Sequence, residues 1–376
     1  MWKIKGTIRY FLSMWTVTFV QMGIFIYIQQ MIAGSNRGEV QDFRWESLLL
    51  QLFVLLPYVV FAAPASFLSN RFPKHKVLAW TSVLMTAFLI AMAVCATVGV
   101  SGVAYWLFLG LATGFALHSP AKYGILKEMC STRYLGYANA FLQIVSLISL
   151  VAASALCLGG VEFVRSNFEN VPNVNDFLSS SIALPWILTG FSVFGTVLSF
   201  FIPKVGTEST TTKIRSVKRE FRSTLSNPLV RATILGISMF WGMAQVFVLI
   251  FQDANGQGIN FLKNSILFAF LGLAIGSIWA ARSSRNFIET GHIPLGMLLV
   301  VVSMVPIPFV SNPTVLAILF TLAGLGGGLF LVPLNSLLQY NTKPHTAGRI
   351  LSISNLVQAL ILAGFLAIYS VLQYYF

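Results

Sequence analysis

The chain is divided into eleven apolar segments of roughly 20 residues, each bounded by charged or turn-forming residues. A helix needs about 20 apolar residues to cross the hydrocarbon core of a bilayer. The sequence therefore predicts an all-α polytopic membrane protein with about eleven transmembrane helices, at residues 9–34, 46–69, 77–99, 102–118, 135–160, 180–203, 229–252, 262–281, 292–310, 313–338 and 349–374.

Composition supports this class and excludes several others. Only 9% of the 376 residues are charged and 56% are hydrophobic, whereas a soluble domain has about 25% charged residues. The three cysteines lack metal-ligand spacing and are typical of small apolar residues packed in helices. No metal or cofactor motif is present, so we expect no cofactor.

The basic residues predict the orientation of the helices. With the N-terminus in the cytoplasm, twenty of the 24 Lys and Arg residues lie inside, and only Arg37, Arg44, Arg165 and Lys263 lie outside. Cytoplasmic loops of membrane proteins carry an excess of Lys and Arg. The formal net charge of +13 is therefore explained by topology, and nucleic acid is not an expected partner.

A basic loop divides the helices into two sets. We predict an N-terminal bundle of six helices (1–203), a cytoplasmic linker loop (204–228) and a C-terminal bundle of five helices (229–376). The fourth helix contains Gly110 and Gly114 and is followed by Pro120, and the tenth repeats the pattern with Gly324, Gly328 and Pro333. Glycines four apart let helices approach closely, and proline bends or ends a helix. The repetition favours duplicated halves, as in transporters.

Amides and other neutral polar groups recur on one face of several predicted helices. An amide in hydrocarbon is costly unless it finds a partner. A single polar residue of this kind often forms a hydrogen bond that joins two helices. Several such residues together indicate a polar cavity between helices one, five, seven and eleven. Its predicted lining consists of Gln21, Asn139, Gln143, Trp241, Gln245, Asn355 and Gln358.

Four more residues follow the two prolines and are expected at the cytoplasmic mouth of that cavity. They are Lys122, Tyr123, Asn335 and Gln339. Lys122 could hold a phosphate, or could be one more cation of the cytoplasmic side.

Several segments resemble one family. The run from His118 to Glu128, HSPAKYGILKE, is similar to the SPAKYGILxE motif of bacterial lysophospholipid transporters of the major facilitator superfamily. Similar segments are Phe240–Gly242 (FWG), Val332–Gln339 (VPLNSLLQ) and Ala347–Leu356, and Asn70–Lys76 resembles a degraded form of the superfamily's loop motif. The gating loop implied by the last resemblance contains Asn70, Arg71 and Lys74.

The resemblance implies two helical bundles around a cavity that opens alternately to each side. It also implies transport of lysophospholipids, chiefly lysophosphatidylethanolamine, in the bacterial inner membrane, with membrane lipids and a cytoplasmic-face acyltransferase as partners. The chain departs from the family at Gln21, Gln143, Val248 and Gln358, where relatives carry charged groups. Asn70 and Pro73 replace an Asp and a Gly, and the family's twelfth helix has no counterpart before Phe376.

Other functions remain open on the residues alone. A transporter of another small amphiphile, drug or solute has the same architecture, and so does a related protein that has lost transport. A membrane-embedded enzyme is disfavoured because no histidine has an Asp four residues later or a partner at metal-ligand spacing. A channel is disfavoured by the repeated halves. All 35 charged residues are expected in loops or at helix ends, and no histidine is expected in the middle of a span.

Overall fold

A computed structural model of the chain describes residues 6–35, 40–130, 134–157, 182–205, 217–255, 260–284, 287–310, 312–342 and 346–375. Within these ranges the structure is helical and contains no strand. Their α-helices are α1 (Thr7–Ser35), α2 (Val40–Val60), α3 (Ala62–Arg71), α4 (Lys74–Val98), α5 (Ala104–Met129), α6 (Leu135–Ala155), α7 (Ala183–Phe200), α8 (Val217–Leu225), α9 (Pro228–Asn255), α10 (Asn260–Ser283), α11 (His292–Met304), α12 (Pro313–Tyr340) and α13 (Ala347–Tyr375).

The helices confirm the predicted membrane architecture. Eight helices of the described chain are long and apolar enough to cross a bilayer, and the bent pair α2–α3 makes a ninth span. An apolar stretch of α10, Leu267–Ser283, and the 26-residue helix α5 coincide with the remaining two predicted segments. The chain is a multi-pass membrane protein.

Prolines affect two of these spans differently. The α2–α3 pair is bent by 54° between Val60 and Ala62, because Pro64 of α3 has no N–H to donate to the Val60 carbonyl oxygen and its ring crowds that carbonyl. Helix α5, in contrast, continues through Pro120 to Met129, eleven residues beyond the predicted end at 118. Residues on both sides of Pro120, such as Ala116, Ala121 and Ile125, are buried, so packing outweighs the loss of one hydrogen bond.

Two compact units make up the chain. The first unit contains residues 2–125 and 148–214, and the second contains Met1, 126–147 and 215–376. The segment 126–147, which includes the end of α5 and most of α6, therefore groups with the C-terminal helices. The division predicted at 204–228 stays a prediction, but the linker is not entirely a loop, because it contains helix α8.

In the first unit, α7 packs against both α1 and α4. The apolar core includes Phe19, Ile24, Leu89, Leu111 and Leu188. Hydroxyl groups also join α4 to α7, since Thr86 Oγ1 lies 2.7 Å from Ser192 Oγ and 2.8 Å from Thr196 Oγ1. These bonds satisfy polar groups that lipid could not satisfy.

In the second unit, α12 is the central helix and packs against α10 and α11. Its glycines bring the backbones together, because a Cβ atom at Gly324 or Gly328 would collide with the backbone of α10. The GxxxG pattern of α12 thus forms a backbone-to-backbone contact. The equivalent glycines of α5, Gly110 and Gly114, face the side chains of Phe88 and Met85 instead.

Candidate substrate site

The HSPAKYG segment lies within helix α5, in the first unit. His118 is the fifteenth of the 26 residues of α5 and is 2% exposed, so the prediction that no histidine lies in the middle of a span is wrong. Its Nδ1 atom lies 2.8 Å from Thr81 Oγ1 of α4. Its Nε2 atom has no hydrogen-bond partner among the described residues. The error follows from ending this helix at residue 118.

Lys122 lies one turn after His118 and is held through its backbone. The Tyr10 hydroxyl of α1 donates a hydrogen bond of 2.7 Å to the Lys122 carbonyl oxygen, and the Lys122 Nζ atom lies 5.6 Å from the centroid of the Tyr123 ring. Within the described ranges the ammonium group makes no ion pair or hydrogen bond. A half-buried cation with a fixed backbone and free donors is suited to binding an anion.

The predicted amides of the second unit are arranged differently. The Asn139 Nδ2 atom donates to Gln339 Oε1 (3.1 Å), and the Gln339 Nε2 atom donates to Asn139 Oδ1 (2.7 Å). Asn139 Nδ2 also donates to Ser336 Oγ and to the Leu135 carbonyl oxygen. Asn139 is 5% exposed and Gln339 is 2% exposed. In this structure the two side chains therefore bind each other and are almost fully buried.

Lys127 reinforces the same region. Its Nζ atom donates to the carbonyl oxygens of Gln339 and Tyr340, each at 2.9 Å, and to that of Thr342. Gln339 and Tyr340 are the last two residues of α12, and Thr342 follows it. The last turn of a helix leaves carbonyls unpaired and carries partial negative charge. The sequence showed Lys127 only as one cytoplasmic cation among twenty.

The other predicted site residues vary in their contacts. Asn335 donates to the Leu331 carbonyl oxygen of its own helix, and Gln358 donates to Ser354 Oγ. Trp241 is 40% exposed, while Gln245 and Asn355 are half-buried and already interact with other groups. Gln21 and Gln143 are half-buried, and their side chains make no hydrogen bond within the described chain.

The predicted gating loop joins α3 to α4. Asn70 and Arg71 end α3, and Lys74 begins α4. The turn between them is tight, because the Phe72 N–H donates to the Leu68 carbonyl oxygen and the Phe72 ring meets the Trp80 ring edge-on at 5.1 Å. Lys74 is buried, with 6% exposure. Its role in gating stays a prediction.

Sequence reasoning missed Tyr10 and Thr81, which hold the α5 segment in place. Neither residue has a sequence signal, because their partners lie 112 and 37 residues away along the chain. Among the described residues, no three His, Cys, Asp or Glu side chains are grouped in a way that could hold a metal ion.

Comparisons with known proteins identify the family. The Major Facilitator Superfamily model matches residues 10–367. Lysophospholipid transporter LplT of Photorhabdus laumondii is 27% identical over 347 residues, covering 87% of this chain and 79% of the relative. The protein of the same name from Citrobacter koseri is 26% identical, with the same coverage.

Solved structures share the fold at low sequence identity. The human organic anion transporter MFSD10 superposes with a TM-score of 0.70 at 14% identity, covering 98% of this chain and 94% of that one. A bacterial homologue of ferroportin in an outward-facing state gives a TM-score of 0.69 at 12% identity, covering 98% and 93%. These relatives and neighbours are transporters rather than enzymes, and the chain belongs to the Major Facilitator Superfamily.

Proposed function

We propose that this protein moves lysophospholipids, chiefly lysophosphatidylethanolamine, between the leaflets of the bacterial inner membrane by alternating access. The names of the relatives at 26–27% identity and the match of the whole fold to transporters support the proposal. The observation that carries it is the free ammonium group of Lys122.

Lys122 has the chemistry that a phospholipid headgroup requires. Its Nζ atom has three donors, none of which is hydrogen-bonded within the described chain. The Tyr10 hydroxyl fixes the backbone at this position, so less freedom is lost when an anion binds. The lysophospholipid phosphate is the anion that this cation would hold, through charge-assisted hydrogen bonds.

One free amide of the same unit supplements the cation. Gln21 can both accept and donate hydrogen bonds, and its side chain has no hydrogen-bond partner among the described residues. It would bind the glycerol hydroxyl or the ethanolamine group of the substrate.

A second candidate is transport of another anionic amphiphile, drug or solute. It is favoured by the glutamines at positions 21, 143 and 358, where the resemblance implies acidic residues. Without those carboxylates, the ethanolamine ammonium has no counter-charge at these three positions.

We further propose that the N-terminus is cytoplasmic, because this orientation agrees with the distribution of Lys and Arg. A lysophospholipid delivered to the inner leaflet is a substrate for reacylation. An acyltransferase at the cytoplasmic face is therefore the partner expected to consume the product.

The test is flipping of lysophosphatidylethanolamine in proteoliposomes with purified protein. Lys122→Gln should lower the initial rate by about tenfold or more, since a hydrogen bond to a charged group contributes about 1.5–3 kcal/mol. Lys204→Gln is the matched control, because Lys204 is exposed, and should change the rate less than about twofold. Equal rates for both variants, with unchanged melting temperatures, would contradict the site.

The same assay separates the two candidates. Lysophosphatidylglycerol has the phosphate but lacks the amine. If the protein recognises the amine, an excess of lysophosphatidylglycerol should inhibit the flipping of labelled lysophosphatidylethanolamine only weakly. Stronger competition by lysophosphatidylglycerol than by unlabelled lysophosphatidylethanolamine would favour the second candidate.

A further inference from the structure

Helix α8 presents a basic face that no contact in the described chain covers. Lys218, Arg219 and Arg222 are all exposed. At 100° per residue they lie within an arc of about 100° on the helix. The only acidic residue of α8, Glu220, is 8% exposed and lies on the opposite face together with Thr224, which is 4% exposed. The exposed face therefore carries positive charge alone.

The residues beside this face are partly apolar. Phe221 and Leu225 are half-buried and lie between the buried face and Lys218 around the helix. A helix with basic residues next to partly exposed apolar side chains is typical of an interfacial helix. Such a helix lies in the plane of the membrane surface. Helix α8 is held in place because it packs against α9 and α13.

The start of the next helix fixes the position of α8 along the membrane normal. The Ser226 N–H donates to the Arg222 carbonyl oxygen, which closes the last turn of α8. Asn227 Oδ1 then accepts from the backbone N–H groups of Leu229 and Val230, as a helix N-cap does. The spanning helix α9 begins at Pro228. Only two residues separate α8 from the spanning helix α9, so we expect its basic face at the level of the lipid headgroups.

We propose that the basic face of α8 is a binding site for anionic phospholipid, with the lipid phosphate held by Lys218, Arg219 and Arg222. Basic residues next to a membrane span bind anionic lipids, and each Lys or Arg near the surface strengthens this binding about fivefold. An acidic protein is the other class of partner for a basic helix. The membrane surface is favoured by the two-residue link to α9 and by the apolar side chains of Phe221 and Leu225.

The experiment measures binding of dioleoylphosphatidylglycerol to the full-length protein in detergent micelles by native mass spectrometry. Lys218→Gln with Arg222→Gln removes two charges from α8. Lys204→Gln with Arg282→Gln removes the same two residue types from exposed positions at other helix ends, and so serves as the matched control. Dioleoylphosphatidylcholine gives the zwitterionic baseline, and inorganic phosphate tests whether a free anion competes.

We expect the α8 variant to bind dioleoylphosphatidylglycerol at least about tenfold more weakly than the parent, and the control variant to stay within about threefold. Raising the salt concentration should also weaken the binding of dioleoylphosphatidylglycerol to the parent protein, because salt screens the attraction between charges. Equal losses in the two variants would overturn the proposal, because binding would then be diffuse. Displacement of the lipid by an equal concentration of inorganic phosphate would overturn it as well. So would an α8 variant that binds dioleoylphosphatidylglycerol as strongly as the parent does.

Discussion

At the scale of single residues, the buried pair of Asn139 and Gln339 is expected to contribute to stability. Its partners lie 200 residues apart in sequence. Each amide satisfies the other, so removing one leaves a buried polar group unpaired, which costs about 1–3 kcal/mol. Hydrogen bonds between membrane helices contribute about 0.6 kcal/mol on average, so the unpaired group matters more than the bond itself.

We therefore expect Asn139→Leu or Gln339→Leu alone to lower the melting temperature in detergent, and the double variant to lower it by less than the sum. Asn335→Leu is the matched control, because within the described chain the Asn335 side chain bonds only to a carbonyl of its own helix. Additive losses in the double variant would mean that the two amides do not interact.

Also at this scale, sequence reasoning found the polar residues but not their partners. It selected Asn139, Gln339 and Lys122 because amides and cations next to apolar helices are costly. It could not tell that Asn139 and Gln339 pair while Lys122 stays free, because pairing depends on how distant segments meet. The periodicity of a single helix contains no information on which residues of distant segments come into contact.

At the scale of helices, glycine has a different role in each half. A Cβ atom at Gly324 would meet the backbone of α10, which cannot move without displacing the helix, whereas at Gly110 it would meet the ring of Phe88. A ring can rotate away at lower cost than a backbone. At Gly364 of α13 a Cβ atom would meet nothing within 4 Å.

We thus predict that Gly324→Ala destabilises the protein most, Gly110→Ala less and Gly364→Ala hardly at all. Overpacking a well-packed interface typically costs about 1–3 kcal/mol, and Gly364→Ala is the control for helix propensity. The measurement is the melting temperature of each variant in the same detergent. A larger loss for Gly110→Ala than for Gly324→Ala would contradict the packing described for α12.

The helices themselves were largely predictable, since each of the eleven apolar segments coincides with a helix or a bent pair. The exceptions have physical causes. Helix α5 was ended too early because His118, Pro120 and Lys122 resemble a helix terminus, although burial continues the helix to Met129. Helix α8 was not predicted because, in the linear sequence, its closely spaced basic residues are typical of a loop. Its two faces become evident only on a helical projection.

At the scale of the whole molecule, the orientation in the membrane determines which loops and helix ends face the cytoplasm and which face the outside. The distribution of Lys and Arg predicts that the α3–α4 turn and α8 lie inside and that Gly99, which follows α4, lies outside. Alkaline phosphatase, which is active only outside the cytoplasm, should be inactive when fused after Phe72 or Ser226 and active when fused after Gly99. A fusion to a cytoplasm-active reporter at each site is the control. Activity in the reverse pattern would invert the topology and would place the basic face of α8 outside.

The contacts of Lys127 have a consequence for the chemical reactivity of helix α5. A lysine ammonium has three N–H donors, and at Lys127 all three are used by carbonyl oxygens at the end of α12 and just beyond it. An ammonium becomes a nucleophile only after it loses a proton, and here each proton is held in a hydrogen bond. Lys122, five residues earlier on the same helix, has no such restraint in the described chain. Of two lysines that look alike in the sequence, one is chemically protected and the other is available to any acylating reagent that reaches the helix.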